Sequence, residues 1–319
     1  MTEYKIQIPP RSVHLRDLPP SDYVLSKGLT DAVQVALALE QPLLITGEPG
    51  TGKTQLAYRI AEDLHAADSR FLEKPLVFNT QTTALAQDLF YYYDALSHFH
   101  DANLRKTSGE AAPPVSDYIE LRALGEALAL SNPGEAGPYA KAGDVARSSV
   151  VLIDEIDKAP RDFPNNLLAG LAEYTFNIRE DHNRRISLGK GQQVVVILTS
   201  NSEKTLPEAF LRRCVFFHIP FPGAEELLRI VSAHLGKDSA YSDAQLIDHF
   251  LEVRRRVSRK APATAELVAW LRILELHQFL DKGLDLKNLT ASQKEVLRMS
   301  YSVLAKTQED LDGLIKNLN

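Results

Sequence analysis

Five short apolar runs punctuate the first two thirds of the chain, at residues 43–46, 76–79, 150–154, 194–199 and 214–219. Each is continuous rather than alternating, the pattern of a strand buried on both faces. Amphipathic stretches such as 55–65 and 164–173 separate most of them. Strands alternating with helices predict a parallel sheet covered on both sides. After Pro220-Phe221-Pro222-Gly223 only helical periodicity remains, over 224–235, 243–257, 264–280 and 292–318. That change predicts an α/β domain over 21–221 and an all-helical domain over 222–319. Residues 1–20 hold four prolines and predict an extended lead-in.

Two segments exceed what a minimal unit requires. About 70 residues separate the second and third runs and include a polar loop, 106–116, with Pro113-Pro114. The stretch 176–193 reads as a hairpin with a polar tip at Asp181-His182-Asn183. No internal repeat or low-complexity tract is evident.

Composition narrows the function classes. The 319 residues are 44% hydrophobic and 24% charged, ordinary for a globular chain. A net charge of -6 without long single-sign blocks disfavours nucleic acid and anionic membranes as partners. The start, MTEYKIQIPP, lacks the basic-then-apolar pattern of a signal peptide. No apolar run approaches the roughly 18 residues of a membrane span. One cysteine, Cys214, has no intrachain disulfide partner, which fits a reducing compartment. The expected location is the cytoplasm.

The chemistry sits at the ends of the predicted strands. Gly47-Glu48-Pro49-Gly50-Thr51-Gly52-Lys53-Thr54 matches GxxxxGK[ST] between an apolar strand and a helical pattern, the context of a P-loop. Its glycines let backbone N–H groups turn toward phosphate oxygens, and the helix N-terminus adds a favourable dipole. ATP is therefore expected on Gly47–Thr54 and the adjoining Gln55. Lys53 reaches the β- and γ-phosphates, and the Thr54 hydroxyl ligates Mg²⁺.

The strand 150–154 ends in Asp154-Glu155, at the mouth of the sheet where open α/β sheets bind ligands. Asp154 is expected to hold Mg²⁺ through water, and Glu155 to accept a proton from the attacking water or orient it. Two acids after a strand can also cap a helix; the P-loop beside them favours the catalytic reading. The strand 194–199 runs into Ser200-Asn201, whose amide could place the water or serve only as a turn residue. Arg212 and Arg213 precede the fifth run. A rigid guanidinium suits spread phosphate charge, and a solvated or ion-paired helix end is the plainer alternative.

These elements, in this order, resemble the AAA+ ATPases across roughly residues 20–280, and the MoxR-like branch in particular. The P-loop, the run Ile153-Asp-Glu-Ile-Asp-Lys-Ala-Pro160, Thr199-Ser-Asn201 and Leu206-Pro-Glu-Ala-Phe-Leu-Arg-Arg213 carry the likeness. The resemblance implies a P-loop α/β fold with a five-stranded parallel sheet in the order 5-1-4-3-2 and a C-terminal helical lid. It implies a homo-oligomeric ring, usually a hexamer, with ATP between subunits. Asn201 then takes the sensor-1 place and Arg213 the arginine-finger place. Arg212 is the understudy, standing where relatives have an acid. Asn79 sits where relatives place a polar residue that can hold the catalytic glutamate inactive. The lid departs from the pattern: no arginine occupies the sensor-2 place, and Lys260, Arg259 or Arg256 stand just upstream. Residues 80–135 resemble the clade's helix-2 insert and 176–193 its pre-sensor-1 hairpin.

Other features read as structural. Tyr91-Tyr92-Tyr93 is taken as core at helical spacing rather than a gripping surface. His98 and His100 with Asp101 read as solvated, since i,i+2 side chains point apart on a helix and no ligand set is evident. Arg254-Arg255-Arg256 with Arg259 and Lys260 reads as a helix end. Trp270 belongs to a buried face with Leu267, Leu271 and Leu274, and Cys214 is inert on a buried strand. The leading expectation is an ATP-driven remodeler of proteins whose partner, by family resemblance, carries a von Willebrand A domain. A nucleic-acid motor and a nucleotide-gated scaffold with little turnover are the alternatives.

Overall fold

The computed structural model describes residues 19–141, 143–202, 206–236, 238–280, 285–286 and 288–318. All but Pro19 and Pro20 of the expected 1–20 lead-in lies outside the described residues; Pro20 opens a short 3-10 turn, Pro20–Asp22. Chain contacts divide the protein into two compact units. One is the α/β body, Leu25–Glu48 and Lys53–Pro220; the other contains the described residues from Phe221 onward, the loop tip Pro49–Gly52 and residues 19–24. No described helix is long and apolar enough to cross a membrane.

The strands of the α/β unit are β1 Leu43–Gly47, β2 Leu76–Asn79, β3 Tyr91–Tyr93, β4 Ile119–Leu121, β5 Ser149–Asp154, β6 Thr175–Ile178, β7 Arg184–Ser187, β8 Val194–Ser200 and β9 Val215–Ile219. Five of them form one parallel sheet in the order β2-β5-β8-β1-β9. In terms of the five sequence-predicted runs this is 2-3-4-1-5, the expected 5-1-4-3-2 read from the opposite edge. Register places Thr46 beside Ser200 and Asn79 beside Asp154. The strand ends that carry the chemistry therefore lie at one edge of the sheet. β1 is buried at every position, and so is β5 up to Ile153, which is why their sequences read as continuous apolar runs.

The helices of this unit are α1 Lys27–Leu39, α2 Lys53–Ala67, α3 Ala95–Ser108, α4 Ala123–Ser131, α5 Pro133–Ala136, α6 Phe163–Glu173 and α7 Glu208–Leu211. Their core faces meet the sheet through residues such as Leu124, Leu128, Leu167 and Phe210, all without exposed surface. The long insert between β2 and β5 is tied down by α4. A Cβ on Gly125 would stand 1.9 Å from the Phe90 carbonyl oxygen, so only glycine lets α4 pass that backbone.

Several expectations are corrected. Tyr91–Tyr93 is not helical but a strand paired antiparallel with β4, which alternates its side chains: Tyr91 is buried and Tyr92 exposed. His98 is half-buried, with both ring nitrogens engaged rather than free in solvent. Its Nδ1 lies 2.7 Å from the Tyr93 hydroxyl, its Nε2 3.3 Å from the Pro113 carbonyl, and its ring stacks on Tyr118. His100 is exposed beside Asp101, and the described residues hold no group of three or more His, Cys, Asp or Glu side chains placed for a metal ion. Cys214 stands just before β9 rather than on it, where burial pushes its thiol up to about 12.

The helical unit contains α8 Ala224–Leu235, α9 Ala244–Arg256, α10 Thr264–Leu276, α11 Ala291–Leu304 and α12 Gln308–Lys316. The expected single helix over 292–318 is broken at Ala305, whose backbone is extended, and restarts where the Thr307 side chain caps the Asp310 N–H. Helix 264–280 stops at Leu276, before Gln278 enters the left-handed region. Trp270 is fully buried among Leu267, Leu271 and Leu274, with its indole N–H on Ser300.

Candidate active site

β1 delivers the chain to the P-loop, and α2 takes it away. Gly50 and Gly52 have φ of 78° and 83°, a conformation open to glycine and strained for other residues. A Cβ on Gly52 would also lie 2.9 Å from the edge of Tyr23. Lys53, the first residue of α2, is 7% exposed, and its ammonium is satisfied entirely by acceptors. It donates to the carbonyls of Gly47 at 2.8 Å and Glu48 at 2.9 Å, and to Asn201 Oδ1 at 3.0 Å. Burial lowers its pKa, while Asp154, Asp157, Glu155 and Glu48 pull the other way.

The next residue, Thr54, donates its hydroxyl to Asp154 Oδ2 at 2.9 Å. The other Asp154 oxygen, Oδ1, accepts from the hydroxyl of Thr199 on β8. The same Thr199 oxygen accepts the Glu155 N–H at 2.8 Å. Glu155 has φ 56° and ψ 50°, a left-handed conformation for a side chain that rarely adopts it. Its carboxylate pairs with Lys158, and that contact raises the Lys158 pKa. At the end of β8, Asn201 gives its N–H to Asp157 Oδ1 at 3.2 Å.

A hydroxyl, a carboxylate and an ammonium thus converge where β1, β5 and β8 end. Thr54 and Asp154 supply the hard oxygen donors that Mg²⁺ prefers, and the two left-handed glycines leave the loop free of Cβ atoms at its turns, as a backbone cradle for phosphate requires. The donor set and the cradle fit a magnesium–nucleotide pair.

A family model described as "ATPase family associated with various cellular activities (AAA)" matches residues 43–222, more than half of the chain. The chain belongs to the AAA ATPase family. It is 31% identical over 158 residues to the chaperone protein ClpB of Malacoplasma penetrans (strain HF-2), a match covering 50% of this chain and 17% of that protein. Solved structures similar to this AAA chain include a RuvB variant of Thermotoga maritima (15% identity, TM-score 0.45, 87% of this chain and 67% of that one). The AAA domain of FIGL-1 in complex with ADP is another (16% identity, TM-score 0.43, 96% and 91%).

The remaining sequence-predicted residues of the AAA chain are placed as follows. Arg213 is exposed between α7 and β9, and its guanidinium has no partner among the described residues. Arg212 is exposed too, but it is engaged by Glu208 at 3.4 Å. Asn79 is exposed at the end of β2 beside Asp154, and the partner recorded for Glu155 is Lys158. Lys260 is exposed and belongs to the helical unit. Sequence reasoning assigned no role to Thr199, Asp157 or Lys158. Thr199 carried a signal, because a polar side chain in a strand buried on both faces requires a partner.

Proposed function

We propose that this AAA chain is a Mg²⁺-dependent ATPase of the MoxR type that works as a homo-oligomeric ring, a hexamer by family habit, and remodels partner proteins. What carries the ATPase reading is the convergence of Lys53, Thr54, Asp154, Glu155 and Asn201 at three strand ends. Gly47–Gln55 wrap the phosphates, and Lys53 exchanges its carbonyl partners for phosphate oxygens. Thr54 and Asp154 hold Mg²⁺, which when bound neutralises charge on those oxygens. Asn201 spends Oδ1 on Lys53, which leaves its NH₂ to hold the attacking water, and Glu155 takes the proton. Arg213, without a partner among the described residues, suits a finger offered to a neighbouring copy, where developing charge on the transferred group needs a rigid donor. Arg212, tied to Glu208, is the weaker choice. Lys260 stands as the lid's substitute for the sensor-2 arginine, and Asn79 as a polar neighbour of the Asp154 end of β5.

Protein clients, a von Willebrand A domain protein among them, are the partners this reading favours, in the cytoplasm. The similarity to a ClpB chaperone supports protein over nucleic acid. So does the hairpin tip, where Arg184 is spent on Asp181 at 2.6 Å instead of being left for a phosphate backbone.

The test is ATPase rate against protein concentration, with Glu155→Gln as control and mixed-sequence DNA as additive. The expected result is a rate per subunit that rises with concentration, falls about 10²–10⁴-fold in the variant and ignores DNA. Tight ATP binding without turnover at any concentration would overturn the ATPase reading in favour of a nucleotide-gated scaffold.

A further inference from the structure

Thr199 has no exposed surface, yet it sits in a strand whose neighbours Ile197 and Leu198 are pure core. Its hydroxyl makes two contacts of opposite sense, and both end on the acids at the tip of β5. It donates to Asp154 Oδ1 and accepts the backbone N–H of Glu155 at 2.8 Å. Since Thr54 occupies Asp154 Oδ2, the Thr199 bond fixes the rotation of the carboxylate and presents the second oxygen toward the P-loop. The bond to the Glu155 N–H secures a residue at φ 56°, ψ 50°, a conformation glutamate keeps only where the surroundings hold it. The brace runs in the other direction as well. Asp157, just past the acids, accepts the N–H of Asn201, which lies just past Thr199. Asn201 in turn contacts Lys53.

We infer that Thr199 is a positioning residue for phosphoryl transfer: one buried hydroxyl on β8 sets both the carboxylate direction of Asp154 and the backbone of Glu155, and Asp157 returns the brace to Asn201. The inference rests on the ATPase reading above, and it gives the site a reason to span three strands. Ligating carboxylates need hydrogen bonds behind them, because an acid free to rotate holds its ion and its water in several places at once. A general base must likewise be held at a fixed reach from the proton it takes.

The test compares Thr199→Val, which keeps the branched shape and removes the hydroxyl, with Thr199→Ser, which keeps the hydroxyl. Three quantities are read: kcat and KM for ATP, the gain in fluorescent-ATP affinity on adding Mg²⁺, and hydrogen exchange of the peptide spanning residues 153–158 without nucleotide. In Thr199→Val we expect kcat to fall about 10–100-fold, the range for removing a partner of a metal-binding acid. ATP affinity without Mg²⁺ should stay within about threefold, because the P-loop itself is untouched, and KM should rise only as far as the lost Mg²⁺ gain. The Mg²⁺ gain should shrink, and exchange at the Glu155 amide should rise. Thr199→Ser should recover most of each. Thr199→Val with wild-type kcat and unchanged exchange would overturn the inference, as would equal loss in both variants, which marks a packing role. If the wild type itself hydrolyses no ATP, the ATPase reading fails separately, and the Mg²⁺ and exchange measurements still decide whether this hydroxyl sets the two acids.

Discussion

At the strand ends of the α/β unit, polar groups converge from elements far apart in sequence. Lys53 from α2 meets Asn201, and Thr54 and Thr199 share the two oxygens of Asp154. In the helical unit, buried polar groups tie helix ends and neighbouring helices to one another. Gln293 accepts the Thr290 N–H at the start of α11 and donates to the Phe279 carbonyl at 3.1 Å. Ser300 accepts the Trp270 indole N–H at 3.0 Å and donates its own hydroxyl to the Leu297 carbonyl at 3.0 Å. Asp310 accepts the N–H and hydroxyl of Ser258 and the hydroxyl of Thr307, and the Ser258 N–H holds its carboxyl below the usual range. The second pattern fixes helix ends and helix pairs. The first gathers one buried ammonium among four acids, whose charges are balanced against burial rather than spent on fold. Satisfied polar groups at helix ends and between helices mark architecture; a buried ammonium ringed by acids marks a candidate site.

If that division is right, removing a charge from the site should cost turnover and leave the fold alone. The largest effect is expected at Arg213, exposed and unpartnered among the described residues. Arg213→Ala should bind ATP nearly normally and lose on the order of 10³-fold in kcat, as arginine fingers do. Mixing it with Glu155→Gln protein should restore part of the rate, because some mixed interfaces then hold one complete site. Equal loss of ATP binding and hydrolysis in Arg213→Ala, with no recovery on mixing, would place the arginine in its own subunit's site.

The opposite outcome is expected in the helical unit. Ser300→Ala leaves the indole N–H of a fully buried Trp270 without its acceptor, which should cost about 1–3 kcal/mol. Urea unfolding followed by Trp270 fluorescence reads that loss directly, since the chain has one tryptophan. At 25 °C kcat should stay within about twofold of wild type, because the substitution acts on stability rather than on the reacting groups. A large kcat loss without destabilisation would break the comparison.

How far this was legible in the sequence follows the same division. The candidate site was legible because a P-loop pattern fixes residue types at set spacing. Apolar strands then deliver the neighbours: Gly47–Thr54, Asp154-Glu155 and Asn201 all stand at strand ends. The sheet order entered only through the family resemblance, and the observed pairing agrees with it. What stayed hidden depends on partners distant in the chain. Tyr91–Tyr93 reads as helix in a local window, but Tyr91 pairs with Leu121 across a strand pair that no local pattern announces. His98 looks solvent-facing until Tyr93 and Pro113 close on its two nitrogens. The break between α11 and α12 did carry a signal, Thr307 followed by Glu309 and Asp310, but unbroken amphipathic periodicity outweighed it. Thr199 was read as the last residue of a strand and as part of the Thr199-Ser-Asn201 run, because its contacts with Asp154 and Glu155 appear only when β5 lies alongside.

The smallest effect sharpens the comparison through pH. His249 in α9 stacks against Trp270 and Tyr301, and its Nε2 lies 2.8 Å from the Tyr301 hydroxyl. Burial lowers its pKa from 6.5; Glu252 opposes that and Arg256 adds to it. His234 in α8 is lowered for the same first reason, with Arg272 adding and Asp22 opposing. Because the folded pKa lies below the unfolded one, the unfolded chain takes the proton first as pH falls. The stability these histidines permit is therefore complete above about pH 6.5 and declines as pH drops through that value toward the folded pKa. The helical unit should melt lower at about pH 5.5 than at about pH 7.5, and His249→Phe, which keeps a stacking ring without a proton site, should flatten the difference. A melting temperature independent of pH in the wild type, or a slope unchanged in His249→Phe, would show that the imidazole is not what makes this core sensitive to protons.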